Sequence, residues 1–361
     1  MNSAQQPEAH RTVTRYDWWA RRQKSISPAP VAFRLRLYQG STEDLVDAPA
    51  EFDPIRALVN NVLQHIIHSH DTAHCYNDIV SKIIQEDPLA SAHFSDLVGG
   101  ARFRPSLSED IIPWFQSLNP DIIIVNDPDN NLCAPIRGTV EKHAGGPLNK
   151  MSISKDLADA IVQFQVHEIY GPATQLMLAA TLLHELTHLL TGSFCGDVTP
   201  RISSFAEDGH GNGEAEQELV IQLCGGVVGL QWRTEHLQDI TKLSLTEMFD
   251  TPEAFEATVF RINECYYHLS TVDMERTLAS ICTDTFYKPI TLSDPGTVRD
   301  QSTPDTVIRM MAAQMNSRLS PSKSTAMPTP SAYHATSVPG VWESNDRTKL
   351  ITHGLYNDRR F

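Results

Sequence analysis

His184-Glu185-Leu186-Thr187-His188 lies inside the apolar run Met177–Leu190, and the reading of this stretch decides the rest of the chain. On a helix, residues four apart stand one turn above each other on the same face, so both imidazoles can reach one cation while Glu185 points beside it. The surroundings favour a helix. Gly171-Pro172 supplies a stop and then a first-turn proline, and Leu176, Met177, Ala179, Ala180, Leu182, Leu183, Leu186, Leu189 and Leu190 make it apolar nearly all round. Gly192 is placed to end it. Ionisable groups in such a helix are costly unless paired or coordinated. A hydrogen-bonded polar cluster without metal is one solution; a zinc ion satisfies all three side chains at once, and H-E-x-x-H on a helix then points to metal-assisted hydrolysis.

A tetrahedral catalytic site needs a third protein ligand and keeps its fourth position for water. The candidates lie in Glu207-Asp208-Gly209-His210-Gly211-Asn212-Gly213-Glu214-Ala215-Glu216-Gln217-Glu218. Gly211 and Gly213 break the chain, Asn212 can cap, and Glu214 to Leu223 reads as a helix with acidic residues in its first turn, where the macrodipole favours them. Glu214 and Glu218 then share a face. This suggests that Glu214 binds the metal while Glu218, one turn on, accepts the ring N–H of a ligand histidine, against a solvated helix face as the alternative for Glu218. Glu216 reads as a solvated face. Asp208 and His210 are weaker ligand candidates, read as surface-loop residues.

H-E-x-x-H on one helix, with a carboxylate at the start of a second and another four residues later, resembles the glutamate-zincin (gluzincin) metallopeptidases. The segment from Gly213-Glu214-Ala215 to Gly225-Gly226 is similar to an E-x-G…G-G element of fungal zincin-like proteins. The resemblance covers about residues 120–230, and only H-E-x-x-H is specific. A shorter spacing, familiar in one large gluzincin group, selects Glu207 as the ligand, which makes it the second choice after Glu214. No third histidine follows in H-E-x-x-H-x-x-G-x-x-H order, because Gly192, Cys195 and Gly196 follow His188, so the metzincin pattern fails.

The resemblance implies a zinc peptidase in which Glu185 is the general base, with a peptide or protein as substrate. It also implies a donor to the oxyanion, for which Tyr266, Tyr267 and His268 are candidates; as an aromatic cluster in a segment read as helical, they also suit core packing. Zincins hold an extended peptide on an antiparallel edge strand, and Met151–Ser154 is the candidate, with a plain structural strand as the alternative.

Elsewhere, Ile122-Ile123-Ile124-Val125 is a short continuous apolar run of the kind that forms a buried strand, and Ala134–Val140 could pair with it. Lys150–Ser154 alternates as an edge strand does, and Ser154 caps a helix over Lys155–Val166. Helical spacing also runs through Pro54–His68 and Tyr76–Ile84, so His65, His68, His70 and His74 decorate a helix and its exit as a solvated or packed face. Glu253–Ile262, Thr271–Thr285 and Pro304–Leu319 read as helices too. The expected class is α+β, mostly helical, with a zincin-like catalytic unit and a small mixed or antiparallel sheet packed on the H-E-x-x-H helix. The expected divisions are a polar N-terminal tail (1–34), a helical lobe (35–118), a catalytic domain (119–318) and a C-terminal tail rich in Ser, Pro, Thr and Asn (319–361).

Of the 361 residues, 41% are hydrophobic and 20% charged, as in a globular chain, and no apolar stretch reaches the length of a membrane span. The N-terminus lacks a basic-then-apolar signal pattern and no N-x-S/T acceptor occurs, from which a cytoplasmic location is expected. Cys75, Cys133, Cys195, Cys224, Cys265 and Cys282 show no C-x-x-C spacing and read as free thiols. A formal charge of −15 opposes nucleic-acid binding. Without G-x-G-x-x-G, P-loop or G-x-S-x-G, nucleotide and serine-hydrolase classes lack support. Three classes remain: a zinc peptidase, a zinc hydrolase of a small molecule, and a non-catalytic zincin-shaped binding protein. Glu185 speaks against the last, which needs no general base.

Overall fold

The computed structural model describes residues 31–38, 45–126, 139–140, 149–196, 201–202, 213–233, 243–262, 265–282 and 306–310. Both expected tails, apart from residues 31–34, and the candidates Glu207, Asp208 and His210 lie outside them. The chain is mostly helical, with small mixed and antiparallel sheets. It begins with strands β1 (Arg34–Tyr38) and β2 (Leu45–Asp47) and continues into helices α1 (Asp53–His68), α2 (His70–Glu86), α3 (Pro88–Val98) and α4 (Ile112–Ser117). Local chemistry sets the breaks between these helices. Ser69 Oγ accepts from Thr72 N at the start of α2, and Asp87 Oδ1 accepts from Leu89 N and Ala90 N ahead of Pro88, the first residue of α3. Gly99, at φ 69°, closes α3 in the left-handed conformation that glycine adopts without a Cβ penalty.

Next come β3 (Asp121–Val125), β4 (Thr139–Val140) and β5 (Lys150–Ser154), which with β1 and β2 form a sheet in the order β2-β1-β3-β5-β4. β3 runs parallel to both neighbours, with Leu35 opposite Ile122 and Ile124 opposite Ile153, and its first four residues are buried. That is where a continuous Ile run belongs. Two expectations are corrected here. Thr139–Val140 pairs antiparallel with β5, not with Ile122–Val125, because both sides of β3 are already taken by β1 and β5. Met151–Ser154 is therefore an interior strand, and β4 is the outer strand among the described residues. Its alternation misleads because Ser152, a polar residue, is itself buried.

Helix α5 (Lys155–Phe164) leads to α6 (Tyr170–Cys195), which carries His184 to His188. α6 continues past Gly192 and stops at Gly196, whose φ of 87° allows the turn, so the expected end at Gly192 falls one helical turn short. Over its 26 residues only Pro172, Gln175 and Ser193 escape burial. No helix among the described residues is long and apolar enough to cross a membrane. The short ladder β6 (Arg201–Ile202) with β7 (Gly213–Glu214) precedes α7 (Ala215–Cys224). Gly225, at φ 94°, gives its N–H to Ile221 O at 2.8 Å and ends α7.

The remaining elements are β8 (Val227–Arg233), α8 (Leu245–Phe249), β9 (Phe255–Ile262), β10 (Cys265–Leu269), α9 (Thr271–Cys282) and β11 (Thr306–Met310). The four strands make an antiparallel sheet in the order β10-β9-β8-β11. Glu253–Ile262, the described part of Pro304–Leu319 and the segment holding Tyr266 to His268 are thus strands where helices were expected. Residues 257–261 are buried without alternation, so period alone could not separate helix from strand there. β9 and β10 pair antiparallel with Ile262 opposite Cys265; β9 is rich in β-branched and aromatic residues and β10 in aromatic ones.

The core gathers on α6. It touches α1, α2, α3, α5, α7 and α9 together with β4 and β8, and buried apolar side chains from Val31 to Ile281 form one continuous cluster around it. Phe194, fully buried near the end of α6, stacks on Phe94 of α3 at 6.0 Å and meets Trp114 of α4 edge-on at 6.3 Å. Phe194→Ala should therefore cost about 3–5 kcal/mol of unfolding free energy. Urea denaturation measures this, and a loss below about 1 kcal/mol would show that the packing at this end of α6 is not tight.

Candidate metal centre

A helix buried on nearly every side must satisfy its own polar groups, and most of those on α6 do. Thr174, Thr181, Thr187 and Ser193 each donate a hydroxyl to the carbonyl four residues back, at 2.7–2.9 Å. Tyr76 of α2 adds a hydroxyl to Leu183 O at 3.2 Å, tying the helix down one residue before His184. The exceptions lie in the motif: His184 Nδ1 and Glu185 Oε2 are buried without a hydrogen-bond partner. Each such group costs about 1–3 kcal/mol, more where charged.

The three motif side chains converge. One donor atom from each of His184, Glu185 and His188 lies within 4.8 Å of the other two, and among the described residues no other group of this kind occurs. The imidazole centroids are 4.9 Å apart with planes at 81°, so the rings meet edge to face at the spacing one helical turn imposes. Relative exposures are 2% for His184, 2% for Glu185 and 7% for His188, which leaves little room for solvent to take the place of the missing partners. Donors of this type, this close and this dry, can hold a metal ion.

The surrounding carboxylates differ from the expectation. Glu216 is fully buried, and its Oε1 stands 2.9 Å from His188 Nδ1. It does not belong to a solvated face, because α7 packs its first turn directly against α6. Glu218, expected to touch a histidine, is half-buried and accepts from Gln222 Nε2 at 2.7 Å on its own helix. A shift of two positions turns an α-helix by about 200°, so Glu216 and Glu218 point to opposite sides. The expected ligand Glu214 ends the β6–β7 ladder opposite Arg201, two residues before Glu216. A buried glutamate in a first helical turn has no sequence signature that separates it from a solvated one.

The other candidates are placed elsewhere. Tyr266, Tyr267 and His268 share β10, where His268 Nε2 lies 3.2 Å from Gln231 Oε1. His65 is buried with its Nε2 2.9 Å from Thr72 Oγ1, whereas His68, His70 and His74 are exposed: a packed and solvated set. Cys195 and Cys224 are buried free thiols and Cys75 and Cys282 half-buried ones. Comparison with known proteins gives no match to a family model, to a curated protein or to a solved structure.

Burial governs the protonation of the centre. Desolvation, reinforced by His188, lowers His184 to about 3, so its ring is neutral at pH 7 as a metal ligand must be. Desolvation raises Glu185 to about 7, with Glu216 pushing the same way and His188 opposing. For Glu216, burial alone would raise the pKa, but the His188 ring, then His184 and the backbone, hold it at about 2.

Because the folded pKa of Glu185 lies above its ordinary 4.5, ionising it in the metal-free protein costs stability as pH rises from 4.5 through 7. Glu185→Gln should then be more stable than wild type at pH 8 in chelator, by up to about 3 kcal/mol, with the difference vanishing at pH 4.5 and below. Denaturant titrations at both pH values measure it. A variant no more stable than wild type at pH 8 contradicts the stated environment of Glu185.

Proposed function

We propose that the chain is a zinc-dependent hydrolase, with His184 and His188 as neutral ligands and Glu185 as general base. The observation that carries the reading is the buried, convergent cluster of His184, Glu185 and His188 on α6, in which His184 Nδ1 and Glu185 Oε2 have no hydrogen-bond partner. Its likeness to the gluzincin pattern, two histidines on one helix and carboxylates on a second packed against it, favours a peptide bond as the target. Glu214 is the proposed third ligand. Its backbone enters α7 two residues before the carboxylate that reaches His188, within about 7 Å of it along the chain. Glu207 is the alternative ligand.

The ion, when bound, supplies Lewis acidity: it makes water acidic enough to ionise near neutral pH and draws charge from a carbonyl oxygen. Glu185 does the proton work. It stands within 4.8 Å of the donor atoms of both proposed ligands, placed to accept a proton from attacking water and return it to the leaving amine. Neutral His184 and the ring of His188 hold their geometry because α6 is fixed by packing on its other faces. β4, the outer strand of its sheet among the described residues and in contact with α6, offers backbone to which an extended peptide could add.

One observation favours a second reading. The catalytic groups expose at most 7% of their surface, which suits a small enclosed substrate such as a lactam or ester better than a chain laid in an open groove.

The experiment is direct. Protein purified without chelator and offered zinc should bind one equivalent, and Glu185→Gln should keep the metal while losing hydrolysis by at least about a hundredfold. A peptide library and a panel of small esters and lactams, assayed side by side, decide the substrate class. Turnover by Glu185→Gln equal to wild type removes Glu185 from the mechanism. Glu214→Ala should weaken zinc binding far more than Glu207→Ala; the reverse order moves the ligand to Glu207.

A further inference from the structure

We infer that Glu216 is a positioning residue, a carboxylate that fixes the ring of His188 by receiving its Nδ1–H; this rests on the metal-centre reading above. Three observations carry it. Glu216 Oε1 is 2.9 Å from Nδ1, the inner ring nitrogen. Glu216 is fully buried, so solvent does not compete with His188 for its carboxylate. It also stands outside the group of His184, Glu185 and His188, whose donor atoms all lie within 4.8 Å of one another.

The physical consequence concerns the tautomer. A neutral imidazole carries one N–H, and a carboxylate against Nδ1 holds the proton there. With Nδ1 directed to Glu216, coordination by His188 falls to Nε2, whose lone pair is then always in place. The carboxylate also raises the basicity of the ring, and partners of this kind typically change metal affinity by about 10–100-fold. In the structure the 2.9 Å contact lies off the ideal N–H direction, so the carboxylate acts on the ring mainly as a charge beside it. The helix contributes as well. Glu216 sits in the first turn of α7, where unpaired backbone N–H groups stabilise an anion without needing a buried cation.

The test compares zinc affinity, by competition with a chelator, for wild type, Glu216→Ala, Glu216→Gln and Glu218→Ala, with circular dichroism as the check on folding. Glu216→Ala should lose about 10–100-fold in affinity, Glu216→Gln should recover most of it because its amide oxygen can accept the same N–H, and Glu218→Ala should stay within about twofold of wild type. Nitrogen-15 spectra of the zinc-loaded protein, labelled at histidine, add a second readout. A slowly exchanging Nδ1–H of His188 should be present in wild type and in Glu216→Gln, even if Glu216→Ala does not fold. Three results overturn the inference while leaving the metal centre intact: unchanged affinity in folded Glu216→Ala, a loss in Glu216→Gln as large as in Glu216→Ala, which makes Glu216 a direct ligand, or an Nε2–H tautomer at His188. Wild type that takes up no zinc instead removes the metal centre itself.

Discussion

Helix α6 is buried on almost every face, so each polar group on it must find a partner inside the protein. Its hydroxyls solve this locally by bonding back to carbonyls one turn earlier, a route open to Thr and Ser but closed to the longer, ionisable His and Glu. His184 Nδ1 and Glu185 Oε2 are therefore the unpartnered atoms of a helix whose hydroxyls bond back to its own carbonyls. Six helices and two strands close around it, and that enclosure is what gives the motif its chemistry: a histidine kept neutral, a glutamate near neutrality and a second glutamate kept anionic by its histidine neighbours.

The rest of the architecture follows from holding α6 in this state. Sheet β2-β1-β3-β5-β4 brings the edge strand β4 to one side, and strand β8 of the second sheet packs on another. α7 enters through the short β6–β7 ladder and leaves at Gly225, so its first turn is pinned where Glu216 meets His188. Tyr76 anchors the backbone one residue before the motif, and Phe115 backs the Tyr76 ring edge-on at 4.8 Å. A centre built this way is costly to the fold. Its unpartnered atoms and raised carboxylate are a store of instability that a bound cation would relieve.

Much of this is legible in the amino-acid order. The long apolar helix, the two histidines and glutamate on it, α1, α5, α7, α9 and the buried Ile strand all show through hydrophobic period or through an unbroken apolar run. Strands β9, β10 and β11 do not. Residues 257–261 of β9 are buried without alternation, and over so few positions apolar spacing fits a helix as well as a strand. The edge position of β4 is decided by which strands flank β3, a long-range fact that local alternation at Lys150–Ser154 cannot report. Choosing between Glu216 and Glu218 required the rotation of α7 about its axis. Both are glutamates in the same turn, and only the contact with α6 separates the buried one from the half-buried one.

X-ray absorption at the zinc edge, on protein loaded with one equivalent and then freed of excess metal, tests the central claim that the motif on α6 is a metal centre. The account predicts two imidazole nitrogens and one or two oxygens at about 2.0–2.2 Å, with the imidazole signal lost in His184→Ala and His188→Ala. A sample that retains no zinc, or whose zinc shows no imidazole in its coordination sphere, would contradict it.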